Sequence, residues 1–201
     1  RAGRELENPD DALTMINATI LDFMTYFNAM TEDRRKNPRE DLASVIANGA
    51  VYGQPLGHLE AMSYYIIAAT AGHDTTSNTT AGTMWALAEN PDEFRKVKND
   101  LSMIPSLVEE SIRWETPVKH FMRTATDDTE VAGQKIRKGD WLMLSYPSGN
   151  RDEAMFEDPY AFRADRTPNK HVAFGYGAHV CLGQHLGRME MRILWEELLP
   201  R

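Results

Sequence analysis

The stretch Phe174-Gly175-Tyr176-Gly177-Ala178-His179-Val180-Cys181-Leu182-Gly183 holds the only cysteine of the 201-residue chain in a glycine-punctuated loop, and the sequence beyond it reads as a helix. A cysteine at a helix N-terminus faces unpaired backbone N–H groups and the positive end of the helix dipole, which favour the thiolate and so metal ligation. Gly175, Gly177 and Gly183 let backbone amides approach the sulfur without a Cβ in the way, and they permit positive φ where a tight loop needs it. Taken alone, a single cysteine is most often a small buried hydrophobe. The spacing F-x-x-G-x-H-x-C-x-G is what makes this one specific.

Downstream, Leu182, Leu186, Met189, Ile193 and Leu198 fall on one face of the closing helix. Upstream, Asn8-Pro9-Asp10-Asp11 reads as an N-cap with proline at the first helical position, and Leu13, Ile16, Ile20, Phe23, Phe27 and Met30 predict one long amphipathic helix broken at Arg34 to Pro38. A short helix from Glu40 to Asn48 and a Gly/Pro loop through Gly57 precede a long central helix from about His58 to Ala88. Asn90-Pro91-Asp92-Glu93 predicts a capped helix to Asn99, with Glu93 at the capping-box position. Pro105 to Trp114 predicts another helix, and Met122 to Tyr146 a small sheet. Gly149 to His171 is polar and loop-like, so the fold class is mainly α.

Lys+Arg 22 against Asp+Glu 30, a formal net charge of −8, suits a soluble acidic monomer and argues against nucleic acid as a partner. One cysteine excludes an internal disulfide and any multi-cysteine zinc or iron–sulfur site, and it fits a reducing, cytoplasmic setting. The longest apolar run, Tyr64 to Ala69, is far short of the ~20 residues that span a bilayer, and no signal-peptide pattern opens the chain. The central helix would be roughly 45 Å long at ~1.5 Å per residue, against a diameter of about 43 Å for a compact sphere of this chain length. Residues 1–201 are therefore expected to be part of a larger domain, an expectation that fits a start at Arg1 and an end just past a helix.

Three further patterns carry chemistry. Within the central helix, Ala71-Gly72-His73-Asp74-Thr75-Thr76 places a glycine costing about 1 kcal/mol relative to alanine beside a threonine able to turn its hydroxyl onto the Ala71 carbonyl. Glu110 and Arg113 stand at i, i+3, in isolation an ordinary ion pair of ~0.2–0.5 kcal/mol. Arg123 follows Pro117-Val118-Lys119-His120-Phe121-Met122.

Together with the cysteine loop, these patterns resemble the cytochrome P450 monooxygenases, and the likeness spans nearly all of this chain but only the second half of the family's length. The runs Ala69 to Ser77, Pro117 to Ala125, Met143 to Ser148 and Cys181 to Leu186 are most similar to the soluble bacterial α-terpineol-oxidising branch. The resemblance implies a P450 fold, haem b with its iron held by Cys181, and electrons from NAD(P)H through a reductase and a ferredoxin. In it Asp74 and Thr75 form the acid–alcohol pair that delivers protons to dioxygen while limiting water, with His73 and Thr76 as packing residues. Ala71, Gly72 and Gly183 lie against the cofactor, and Arg123 and His179 partner its propionates. Phe174 packs near the sulfur and restricts water. Glu110, Arg113 and Arg166 form a buried cluster that holds the cysteine loop, where loss of one member would cost about 3–5 kcal/mol.

Ile67, Ala68, Ala71, Val118, Phe121 and Met122 face a small hydrophobic substrate, or else are plain core. Arg188 is a candidate contact for the redox partner. Should the 201 residues be the whole polypeptide, weak haem binding and little turnover are expected, since the family's first half supplies much of the pocket. Two other readings stay open: a non-catalytic haem-binding module, against which Asp74-Thr75 counts, and a helical scaffold without cofactor. A peroxide-driven variant is disfavoured by the same acid–alcohol pair.

Overall fold

The computed structural model describes residues 9–201, and these fall into two compact units, one ending at Ala71 and the other running from Gly72 to Arg201. Helices dominate: α1 (Pro9–Lys36), α2 (Leu42–Ala47), α3 (His58–Glu89), α4 (Pro91–Asn99), α5 (Ile104–Glu115), the single turn α6 (Tyr146–Gly149) and α7 (Gln184–Leu198). Asn8, the expected cap of α1, lies outside the described residues.

In the first unit, α1 runs on to Lys36, past the expected break, because Arg34, Arg35 and Lys36 sit in its last turn where cations suit the helix dipole. Only the C-terminal end of its apolar face is packed. Phe27 and Met30 rest on Ile46, Leu56, Ala61 and Tyr65, with Phe27 stacked on Tyr65 at 4.8 Å, whereas Leu13, Ile16 and Ile20 are at least half exposed. α2 is capped by Asp41, whose carboxylate accepts the Ser44 N–H at 2.7 Å. Part of the expected Gly/Pro loop is a hairpin, β1 (Ala50–Val51) with β2 (Gln54–Pro55), turned at Tyr52 and Gly53, both at positive φ.

In the second unit, one core gathers Ala86 and Leu87 of α3, Val97 of α4, Ile104, Leu107, Val108 and Ile112 of α5, and Met191, Trp195 and Leu199 from α7 and its end. The apolar face read from the sequence is not the one that packs: Leu186, Met189, Ile193 and Leu198 are 41–53% exposed, while Met191 and Trp195 are at most 3% exposed. The apolar residues of α7 fall on more than one stripe, and contact with α5 selects the Met191–Trp195–Leu199 stripe.

The expected small sheet is two antiparallel pairs: β3 (His120–Thr124) with β6 (Trp141–Ser145), in register Phe121 opposite Leu144, and β4 (Thr129–Val131) with β5 (Gln134–Ile136). The capping box at α4 does not form. Asn90 donates its side-chain N–H back to the Ala86 carbonyl at 2.8 Å, closing α3, and Glu93 accepts the Ala164 N–H at 2.8 Å. Asn90 thus adds a second donor to a carbonyl near the C-terminus of α3 that already accepts its own backbone N–H, and Glu93 serves a backbone N–H in a loop.

Candidate functional site

On α5, Glu110 and Arg113 face inward, and neither side chain is exposed at all. Arg113 grips Glu110 through both ends of its fork, Nε to Oε2 and Nη2 to Oε1, each at 2.7 Å. Its remaining N–H groups donate to the carbonyls of Asn150 (2.9 Å), Pro159 (2.8 Å) and Ala161 (3.2 Å). Arg166 donates to Glu110 Oε2 at 3.0 Å and to the carbonyls of Glu157, Asp158 and Ala161. Glu110 also accepts the Arg163 backbone N–H at 2.9 Å and the Asn169 side-chain N–H at 3.1 Å. Two buried arginines on one carboxylate are tolerable because their spare donors satisfy backbone carbonyls of an irregular segment that no helix or strand could serve.

That segment leads to the cysteine loop. Asn150, fully buried, receives the Val172 N–H on its side-chain oxygen at 2.8 Å and gives its own N–H to Thr116, the left-handed cap of α5. The loop then closes on itself: Gly175 N–H donates to Val172 O and Cys181 N–H to Phe174 O, both at 2.8 Å. Gly175 (φ 72°) and Gly177 (φ 73°) take the left-handed conformation that allows this reversal. α7 begins at Gln184 with Gly183 as its N-cap, so Cys181 stands in the turn just before the helix and not in its first turn. The thiol is free and exposed, and a Cβ on Gly183 would lie 3.9 Å from the sulfur.

A second carboxylate stands next in sequence to the first, and no motif in the sequence marks it. Glu109 accepts Arg188 Nε at 2.6 Å and Nη2 at 3.0 Å, and pairs with His171 Nε2 at 3.0 Å. Burial pushes its pKa up, but the hydrogen bonds from His171 and Arg188 and the charge of Arg188 outweigh this and hold it at about 2. The only hint in the sequence is the tandem Glu109-Glu110, since two adjacent glutamates on a helix point about 100° apart. Arg188, a candidate docking contact by sequence, is thus engaged within the chain.

The other sequence candidates are placed as follows. Asp74 and Gly72 are exposed on α3, Thr75 is half-buried, and a Cβ on Gly72 would meet nothing within 4 Å. The His73 side chain is 79% exposed within the described residues, with Nε2 3.9 Å from Asp74 Oδ1, while Thr79 and Thr83 point into the core. Thr76 is half-buried and, with Thr80, Ala81, Met84, Met191 and Leu194, lines a groove of about 410 Å³ between α3 and α7. Ile67, Ala68 and Ala71 are exposed in the first unit. On β3, Phe121, Met122 and Arg123 are exposed, the Phe121 ring lying 6.1 Å from that of Tyr146, and Val118 is half-buried before the strand. His179 is exposed in the single 3-10 turn within the cysteine loop, and Phe174 is half-buried.

A family model described as cytochrome P450 matches residues 7–201. The chain belongs to the cytochrome P450 family. It is 49% identical over 195 residues to Cytochrome P450-terp of a Pseudomonas species, covering 97% of this chain and 46% of that one. It is 35% identical to linalool 8-monooxygenase of Pseudomonas putida, covering 97% and 47%. Among solved structures, CYP108D1 from Novosphingobium aromaticivorans superposes with a TM-score of 0.87 at 49% identity, covering 98% of this chain and 48% of that one. CYP109E1 from Bacillus megaterium, in complex with corticosterone, gives 0.92 at 33% identity, covering 99% and 54%. The chain spans about half the length of the curated relatives it matches.

P450 membership implies haem iron, and the residues present fit it. The sulfur is exposed at the rim of a preformed loop, and Tyr176 (92% exposed) and Leu182 (93%) flank it with bare apolar surface of the kind a flat macrocycle covers. Among the described residues no three His, Cys, Asp or Glu side chains converge as a cage for a bare metal ion, and no helix is long and apolar enough to cross a membrane.

Proposed function

We propose that residues 1–201 supply the second half of a P450 monooxygenase domain, in which Cys181 is the iron ligand and the substrate is a small hydrophobic, terpenoid-type molecule. The observation that carries this reading is the free, exposed Cys181 thiol on a loop closed by its own amide and anchored to the Glu110–Arg113–Arg166 cluster. Haem, when bound, supplies the redox-active iron at which dioxygen is activated and a C–H bond is oxygenated. The chain's part is to hold and to protonate. The loop presents the thiolate at a set position. Asp74, exposed, exchanges protons with solvent, and the half-buried Thr75 hydroxyl passes them inward. Arg123 and His179, both exposed donors, take the propionates, and Ala71 and Gly72 leave the cofactor face of α3 open.

Terpenoid chemistry is supported by the names of two relatives, Cytochrome P450-terp and linalool 8-monooxygenase, and by exposed apolar side chains at Ile67 and Ala68 in the first unit and at Phe121 and Met122 in the second. Electrons come from NAD(P)H through a ferredoxin reductase and ferredoxin, and the setting is the cytoplasm. The deciding experiment titrates the full-length protein, of which these residues form the second half, with haem and records the reduced carbon-monoxide spectrum. A band at the family's name-giving wavelength that disappears in Cys181→Ser is expected. No Cys181-dependent band at any haem concentration overturns the reading.

A further inference from the structure

Glu109 and Glu110 hang two separate networks from adjacent positions of α5, and only the second belongs to the Glu-x-x-Arg cluster. Arg188 lies one turn into α7, and its guanidinium meets three parts of the molecule at once. Nε and Nη2 fork onto the two oxygens of Glu109 at 2.6 and 3.0 Å. The guanidinium carbon sits 4.5 Å from the centre of the Phe174 ring, and Nη1 donates to the side chain of Gln184 at 3.1 Å. Phe174 is the residue whose carbonyl receives the Cys181 N–H, and Gln184 is the residue whose N–H returns to the Cys181 carbonyl at 3.3 Å. One planar cation therefore touches the entry and the exit of the ligand loop, each of which is bonded to the cysteine backbone. His171, its side chain 3% exposed, braces the same carboxylate from the other side, its ring 5.9 Å from that of Phe174.

From this geometry we infer that Arg188 and Glu109 are positioning residues for the thiolate: Glu109 orients the Arg188 fork, and the fork clasps Phe174 and Gln184 so that the loop holds Cys181 in one place before any cofactor arrives. A fork bound through two N–H groups has one orientation, whereas an ammonium on a flexible stem has many. Lysine at 188 keeps the charge and most of the stem but can neither bridge both carboxylate oxygens nor stack as a plane. The order of the loop should therefore depend on the guanidinium itself and not on positive charge at that position. The functional meaning of the inference rests on the haem-thiolate reading, but its physical content does not.

The test is amide hydrogen exchange of the full-length protein without haem, comparing the parent with Arg188→Lys, Arg188→Met and Glu109→Gln. Exchange at Cys181 and its loop neighbours should quicken about tenfold in all three variants, while the core amides of α5 hold their protection. Combining Glu109→Gln with Arg188→Lys should add little beyond either change alone, because the two act through one contact. Unchanged loop exchange in folded variants overturns the inference. So does faster exchange spread equally over α5, which marks general loosening, and so does full rescue by lysine. Failure of the haem-thiolate reading looks different: the exchange effect stands, and no Cys181-dependent spectrum forms.

Discussion

Replacing Glu110 by alanine removes the single carboxylate that serves two buried arginines. Glu110 and Arg113 have no side-chain exposure and Arg166 has 4%, so the loss leaves two cations facing each other with no anion and no route to water. Breaking a buried pair costs about 3–5 kcal/mol, and the Arg163 N–H and Asn169 N–H that also donate to this carboxylate lose their acceptor. Against a total of about 5–15 kcal/mol for a domain, such a loss removes a large share of the stability. At an m-value near ~2 kcal/mol/M, the urea midpoint should fall by roughly 2 M, as followed by circular dichroism and tryptophan fluorescence. The triple replacement Glu110→Met, Arg113→Met, Arg166→Met sharpens the reasoning. Exchanging a buried ion pair for apolar side chains is often neutral, but here it strips hydrogen bonds from the carbonyls of Asn150, Glu157, Asp158, Pro159 and Ala161. The triple variant should therefore stay well below the parent. Recovery of parental stability in the triple, or an Glu110→Ala midpoint within ~0.5 M of the parent, refutes the claim that the arginines are held for their backbone contacts.

Glu109, held at about 2 against an ordinary 4.5, stabilises the fold fully above pH 4.5, and that contribution is lost as the pH falls from 4.5 toward 2, so acid titrations of Glu109→Gln should be flatter through that window than those of the parent. In α7, Met191→Ala should cost about 2–5 kcal/mol and Leu186→Ala less than ~0.5 kcal/mol, since these residues are 3% and 53% exposed; equal losses in thermal melts would reverse the assignment of the buried face. Gly72→Ala should raise stability by ~0.5–1 kcal/mol through helix propensity alone, because its Cβ meets nothing within 4 Å, while weakening haem titration if that face must stay open to the cofactor. Thr75→Ala should leave the Cys181-dependent spectrum intact and lower substrate oxygenation by ~10², the scale of a lost proton donor; undiminished turnover removes Thr75 from the proton path.

The local signals read well where a short-range rule governs the result. Proline at the start of α4, glycines at the loop reversal and the apolar run of α3 each act within a few residues, and each marks an element that is there. Where two local rules compete, spacing alone misleads: Asn90 could cap α4 or close α3, and it closes α3, because the Ala86 carbonyl at the helix end lies within reach of its side chain.

From the sequence by itself came the helix order, the Phe174–Gly183 loop, the Glu110–Arg113 pair, the Asp74–Thr75 pair and the family likeness, all of them patterns confined to a few neighbouring residues or one helical turn. Only the tertiary structure decided which stripe of α7 is buried, that Arg113 and Arg166 serve the carbonyls of the chain between Asn150 and Ala161, and that Glu109 joins His171 to Arg188. These pairings link positions tens of residues apart. Helical periodicity says that a face is apolar or that a charge is present, but the partner is chosen by what the folded chain brings within about 3 Å of it, where burial makes an unpaired polar group too costly to leave.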